Sequence, residues 1–495
     1  MGQILAIVAT AATPMTVCVG VVATSIIVTG EIGLPAGFLA VPVLLSLFFV
    51  GQTSMASRVP GPGMLYSYVS AGAGRPLGAG AAAVSLLAYN LLQVGLYGLI
   101  GGAAEPLLAE VFGAVPPWWV SALALCALVA VLGPRKLKVL AAVLQILLVL
   151  EVGTLAVYGA ANLTHAVNGT VPWHALNPVL LFGPGAAVLL LMSLLGSIGI
   201  ESGAAYISKA RDGHRTVWWA MMIATVGAAV IYVLFTVGVI AAVGADAVVD
   251  TARAQNVGMV FELARLHLGE TAVPIGQLLL CTSIAAAALS LHATCNAHAY
   301  ALACEGLLPR ALSRVNPRTD QPSTASAAQC VLGLAAIVVF AVAGWPPQDA
   351  LFYGGGTAGA LAVLLVLTLT AIAIAFYFWR EHHRIVVQRR NAPLDHGEAA
   401  PDDRTTPFLR TRLVPSISAV LLAAVLVLIV IKFDTLLGPT AEPVHQWGIF
   451  GVVAVALAAG IARALYLRRH HYEIYLRLGR GPAASPSATR QAASQ

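Results

Sequence analysis

The chain has 495 residues, of which 59% are hydrophobic and only 10% charged, and its mean hydropathy is +0.86. So little polar surface cannot cover a soluble globule of this length, and a bilayer must act as the solvent. The net charge of +6 gives no support to nucleic-acid binding once the positions of the basic residues are considered.

A helix crossing the hydrocarbon needs about 20 apolar residues, each rising roughly 1.5 Å through a slab roughly 30 Å thick. Stretches with at most one Asp, Glu, Lys or Arg predict spans at about 3–29, 34–57, 77–103, 117–133, 139–161 and 183–208. Six more follow at about 217–243, 273–303, 323–346, 350–379, 413–431 and 446–462. The fold class expected is therefore an all-α polytopic membrane protein with 12 transmembrane helices. The first window is too long for a signal peptide, has no basic leader and is followed by further spans, so it reads as a retained helix.

Lys and Arg near helix ends are held on the cytoplasmic side during insertion. With the amino terminus inside, 24 of the 27 Lys and Arg fall in cytoplasmic segments, and Arg253, Arg265 and Lys432 fall outside. Twelve spans return the carboxyl terminus to the cytoplasm. The expected location is the cytoplasmic (plasma) membrane, multi-pass, with both termini cytoplasmic. The positive charge follows from this topology and from contact with anionic membrane lipids. Six cysteines lie in or beside apolar windows without CxxC spacing and read as small core residues.

The segment 380–412 is charged and contains Pro393, Pro401 and Pro407. It reads as a cytoplasmic linker between a ten-helix core, residues 1–379, and helices 11 and 12 in 413–470. The Ala- and Ser-rich tail, 471–495, is expected to be disordered. A core of ten spans divides into halves of about 1–161 and 183–379. Each half would hold five crossings, an odd number, so the halves would be inverted repeats of one another. The first helix of each half should then be interrupted near midplane. Pro14, in Thr13-Pro14-Met15-Thr16, removes a donor and clashes with the preceding turn. In the sixth window Gly196, Gly199 and Gly203 surround Ser197, Ile198, Ile200, Glu201 and Ser202, where glycine lowers the cost of leaving the helix.

At these residues the chain resembles the amino acid permeases of the amino acid-polyamine-organocation (APC) superfamily, over nearly its whole length. The segment from Ser197 to Ser202 is similar to the family's small-x-Gly-aromatic-or-aliphatic-Glu pattern in the broken sixth helix. Further similar stretches begin at Arg58 (with Pro60, Gly61, Pro62 and Gly63), run from Ala88 to Gly98, and run from Glu305 to Pro309. The resemblance implies a leucine-transporter-type 5+5 inverted repeat plus two extra helices. It also implies alternating access, a substrate between the broken helices, and proton symport or exchange of an amino acid, polyamine or related amine. The chain departs from the family at Ala12-Thr13-Pro14-Met15-Thr16 in place of a Gly-Ser-Gly-like break. It also has Leu195 and Ile200 where aromatic gates are common, and lacks an Arg-Tyr pair near Asn296 to Tyr300.

Within the twelve windows, Glu151 and Glu201 are the side chains of the Asp, Glu, Lys and Arg class. A charge at the bilayer centre costs about 3 kcal/mol or more, so such residues face a cavity, bear a proton, or both. Glu201, just after the glycine-rich break, reads as a proton carrier or gate linker, against a structural partner for freed backbone. Glu151, near the middle of the fifth helix, supplies coupling protonation or satisfies unwound backbone. Asn90, Gln93 and Tyr97 share a face of the third helix that either lines the cavity or glues helices together. Tyr353, before a run of three glycines, either caps the external vestibule or anchors at the interface. Thr282 and Ser283 resemble the hydroxyl ligands of a sodium site, but two hydroxyls are weak support, and protons are the preferred coupling ion. His292 and His298 lack metal-pair spacing.

The expected function is a secondary active transporter of an amino acid or related amine, not an enzyme, with no catalytic residue, metal or cofactor. The substrate-binding set is Ala12, Thr13, Met15, Thr16, Asn90, Gln93, Ser197, Ile198, Gly199 and Ile200. Glu201, Glu151 and Tyr353 form the coupling and gating set. Free N–H groups at the first break would bind a carboxylate, and carbonyls at the sixth an ammonium. The alternatives are a solute-sensing receptor on a transporter fold, or a carrier of another metabolite.

Overall fold

The computed structural model describes residues 12–59, 64–113, 115–135, 137–209, 213–319, 321–391, 408–433, 436 and 443–481. Each of the twelve apolar windows contains an apolar helix. Among the described residues nine helices are long and apolar enough to cross a membrane, which makes the chain an all-α, multi-pass membrane protein. They include α2 (Leu34–Ala56), α4 (Arg75–Phe112), α6 (Leu137–Thr164), α8 (Gly213–Val243) and α11 (Ala272–Glu305). They continue with α12 (Ser323–Ala343), α13 (Gly356–Asn391, entered through a π-helical turn at Pro347–Gly355), α14 (Val414–Ile431) and α15 (Pro443–His470).

Three apolar helices are shorter: α1 (Thr16–Thr29), α5 (Trp118–Leu132) and α7 (Ala186–Leu195). Short α1 and α7 correspond to the first and sixth windows, where breaks were expected. Four small helices complete the set: α3 (Leu65–Ala73), α9 (Val248–Gln255), α10 (Gly258–Leu268) and α16 (Tyr472–Tyr475). One two-residue hairpin pairs Val315–Asn316 with Gln321–Pro322.

The bundle is organised around α4, which packs against α3, α5, α11, α13, α15 and the π-helical turn. Small residues permit this, since lipid gives helices no hydrophobic reason to associate and close packing must do so instead. A Cβ on Gly98 of α4 would lie 2.3 Å from the Pro347 carbonyl oxygen, so only glycine admits the π-helical turn there. By contrast α15 is only 17% buried and α6 22% buried over their apolar windows, so both present most of their surface to lipid.

The segment after α15 differs from the disordered tail expected from residue 471. Residues 472–481 are ordered: Tyr475 and Leu478 are buried with Leu467 and Ala79, and the Arg75 guanidinium lies 5.4 Å from the Tyr475 ring centroid. Glu305, at the end of α11 and fully buried, holds this segment. It accepts the N–H of Gly479 at 3.0 Å, the N–H of Gly481 at 2.5 Å and the Tyr66 hydroxyl at 2.9 Å. Tight main-chain turns at Gly479 and Gly481, both at positive φ, bring the donors to one carboxylate. The expected linker at 380–412 is helical at both described ends, up to Asn391 and from Leu409. Positions 60–63 of the motif beginning at Arg58, and 482–495 of the tail, lie outside the described residues.

Candidate functional site

The expected interruption in the sixth window is present, and that of the first falls partly outside the described residues. Just before α1 the described chain is non-helical at Thr13, whose φ of 37° is a strained conformation for a β-branched residue. Beyond α7, Gly199 has φ 105°, accessible to glycine at little cost, and the chain resumes as a 3-10 helix at Ile200–Lys209. One side chain joins the two breaks. The Tyr232 hydroxyl on α8 lies 2.9 Å from the Ala12 carbonyl oxygen and 3.1 Å from that of Gly196, so both interruptions are stapled to the same point.

Each break is also held by a buried carboxyl. Glu201 is 4% exposed; its Oε2 accepts the Gly199 N–H at 2.7 Å and its Oε1 the Tyr89 hydroxyl at 2.9 Å. Its carbonyl oxygen accepts from Gln52 Nε2 at 2.9 Å. Glu151 is 2% exposed and reaches the other break from α6. A single oxygen, Oε2, accepts the Met15 N–H at 3.2 Å and the Ser283 hydroxyl at 2.8 Å. Ser283 in turn accepts from the Thr16 N–H at 3.2 Å and the Thr16 hydroxyl at 3.0 Å. The main-chain donors expected to await a substrate carboxylate, on Met15 and Thr16, are thus already engaged by the protein's own Glu151 and Ser283.

A cavity lies between the breaks. Of the residues singled out in the sequence, Ala12, Thr13, Thr16, Ile198, Gly199 and Glu201 line it. Tyr89, Leu92 and Leu96 line it from α4, Ser290, Leu291 and Thr294 from α11, and Phe352 and Gly356 from the start of the tenth window. On the wall Ser202 is exposed, whereas Val17, Val21 and Phe352 are buried, so the cavity opens past the 3-10 segment. Phe352 supplies an aromatic ring to the wall, which Leu195 lines from the sixth window.

Other expected residues sit elsewhere. Met15 is fully buried and meets the site only through its N–H. On α4 the lining face is turned one residue from the one expected: Asn90 bonds back to the Leu86 carbonyl at 2.7 Å. Gln93 bonds to Tyr97 at 3.1 Å and accepts from Gln329 of α12 at 2.8 Å. Gln93 thus acts as interhelical glue through Gln329, whereas Asn90 bonds within α4 and its buried Oδ1 has no partner among the described residues. Ser197 turns to the Ser193 carbonyl, 3.5 Å away, and Ile200 is fully buried away from the cavity. Tyr353 donates to the Leu436 carbonyl, tying the tenth window to the end of α14 instead of capping the cavity. His292 meets Ser326 at 2.9 Å, and His298 meets the Thr294 carbonyl at 3.0 Å with its ring 5.1 Å from that of Tyr89.

Inside the bundle, then, the non-helical backbone at Thr13 and at Gly199 faces one cavity, with a buried carboxyl bonded to each segment. The family model for amino acid permeases matches residues 3–459, and the chain belongs to that family, within the APC superfamily. It is accordingly a transporter of amino acids or related solutes. Among curated proteins none matches the chain.

Proposed function

We propose that the protein is a proton-coupled secondary transporter of an amino acid or related amine. In this reading it has twelve spans in a 5+5 inverted repeat plus two, and both termini lie in the cytoplasm beneath the plasma membrane. Residues 1–379 form the transport core and 413–470 the accessory pair. The observation that carries this reading is the junction of the two breaks at Tyr232 beside a cavity containing Glu201. Solute binding between the breaks biases their relative position, and so favours one face of the membrane over the other.

Coupling to protons in preference to sodium is supported by the surroundings of Glu151. Two main-chain N–H groups at the start of α1, those of Met15 and Thr16, point at Glu151 and Ser283. Those donors and the Ser283 hydroxyl engage Glu151 Oε2 and the Ser283 oxygen, so the oxygens a sodium ion would need are already hydrogen-bonded, whereas a proton needs only Oε1. A carboxyl enclosed in the membrane interior is instead a natural proton site, because hydrocarbon penalises a bare charge. The hydroxyls of Thr16 and Ser283 run in series from the cavity wall to Glu151, a path along which a proton can pass.

The test is uptake of labelled amino acids into proteoliposomes under an imposed pH gradient or an imposed sodium gradient. Acid outside should drive accumulation, and sodium alone should not. Accumulation driven by sodium at equal pH would refute the coupling, and no uptake or exchange of any amino acid or amine would refute the transporter reading.

A further inference from the structure

The cavity wall is chemically one-sided. Among its described lining residues Glu201 carries the sole charge, while Val17, Leu92, Leu96, Leu195, Leu291 and Phe352 present apolar surface. Its hydroxyls are largely spent within the protein. Thr16 donates to Ser283, Thr294 to the Ser290 carbonyl at 3.0 Å and Ser202 to the Gly199 carbonyl at 2.6 Å.

We propose that the solute carries one ammonium group on an uncharged aliphatic body, and that the gap between Leu195 and Gly356 sets the size of that body. This rests on the reading of the protein as an amino acid or amine carrier. Glu201 is the ammonium's partner. A carboxylate offers about four lone-pair sites, and two are taken by Tyr89 and Gly199, so acceptor capacity remains toward the cavity. A guanidinium, a second ammonium or a side-chain carboxylate at the far end of the body would lose its hydration against the leucines with no counter-charge to meet it, which is costly in a low-dielectric site, whereas an α-carboxylate stays beside its own ammonium. Basic and acidic amino acids and polyamines are therefore excluded.

The shared chemistry, one ammonium and an aliphatic body, is found both in neutral amino acids and in simple monoamines. The Met15 and Thr16 donors are already occupied, so comparing leucine with isopentylamine, its counterpart without a carboxylate, separates the two sources. Size selection is centred on Gly356. A Cβ there would lie 3.7 Å from Leu195 Cδ2, an ordinary contact, and its φ of −61° is helical, so alanine fits without strain and fills only the cavity.

The experiment is counterflow of labelled leucine, labelled alanine and labelled isopentylamine in proteoliposomes, competed by unlabelled isopentylamine, arginine, glutamate and putrescine. Arginine, glutamate and putrescine should leave leucine counterflow unaffected, whether or not isopentylamine competes. Gly356→Ala should lower the leucine-to-alanine preference by about tenfold or more, the scale of discrimination by a few methylenes, and Leu195→Ala should raise it. The proposal is overturned if any of the three charged competitors matches unlabelled leucine, or if both variants change leucine and alanine counterflow alike. Absence of counterflow with every compound would instead overturn the carrier reading itself.

Discussion

The two helix breaks meet at one tyrosine, yet their carboxyls hold them in different ways. Glu201 binds its own break, two residues away at Gly199, and spreads its bonds over both oxygens, one for Gly199 and one for Tyr89. Glu151 binds a break 136 residues distant in sequence and receives both donors on the single oxygen Oε2. Glutamine retains one acceptor oxygen and replaces the other by an NH2 donor. At Glu151 the retained oxygen can keep both bonds. At Glu201 the oxygen can keep only one of its two donors: if it keeps Gly199, the NH2 donates to the Tyr89 oxygen and leaves the Tyr89 hydroxyl hydrogen without its acceptor. The same substitution therefore separates charge from structure at Glu151 and disturbs both at Glu201.

The largest expected effect extends the comparison to a third carboxyl. Glu305→Ala leaves the Tyr66 hydroxyl and the Gly479 and Gly481 N–H groups without their acceptor, and should cost about 3–5 kcal/mol. Thermal unfolding in detergent should show a pronounced drop. An unchanged midpoint would mean that the segment after α15 does not depend on this carboxyl.

Next in size is Glu201→Gln, expected to destabilise by about 1–3 kcal/mol because a buried donor loses its acceptor. Glu151→Gln should cost less than Glu201→Gln, because the Met15 and Ser283 donors keep their acceptor oxygen and only the new NH2 lacks a partner. Equal losses for the two variants would break the distinction between them. Tyr232→Phe sharpens it further. Removing the hydroxyl leaves the Ala12 and Gly196 carbonyls short of a donor, and should cost about 1 kcal/mol while slowing exchange more than it weakens solute binding. A change confined to binding would argue against a role in joining the breaks.

The smallest effect lies outside the spans. His267 of α10 stacks on His165 at 4.5 Å between ring centroids and meets Asn162 at 3.0 Å. Burial, and then the His165 charge, hold its imidazole below the ordinary range. A group whose folded value is depressed favours the folded state in its neutral form. The contribution is therefore complete above the unfolded imidazole value of about 6.5 and fades as pH falls through the folded value. Amide exchange of 258–268 should quicken modestly at pH 5 relative to pH 8, after correction for intrinsic rates. Equal protection would contradict it.

Local features were legible in the chain and distant ones were not. Twelve apolar windows each held an apolar helix because a run of apolar residues is a property of consecutive positions. The sixth-window break was readable because its glycines and its glutamate are neighbours. Glu305 was not, since its tail partners lie 174 and 176 residues further on. Nor was Tyr232, whose partners lie 220 and 36 residues away. The face of α4 was misjudged for another reason. In a membrane helix the lipid side, the packed side and the cavity side are all largely apolar, so polarity alone did not separate Tyr89, Leu92 and Leu96 from Asn90 and Gln93.

The central claim is that Glu151 carries the coupling proton while its bonds to Met15 and Ser283 carry the structure. Glu151→Gln, reconstituted and compared with the unsubstituted protein, tests it in one measurement: solute accumulation under an inward pH gradient, beside solute exchange at equal pH. The account predicts that gradient-driven accumulation is lost and exchange persists. Accumulation that survives the substitution would contradict it.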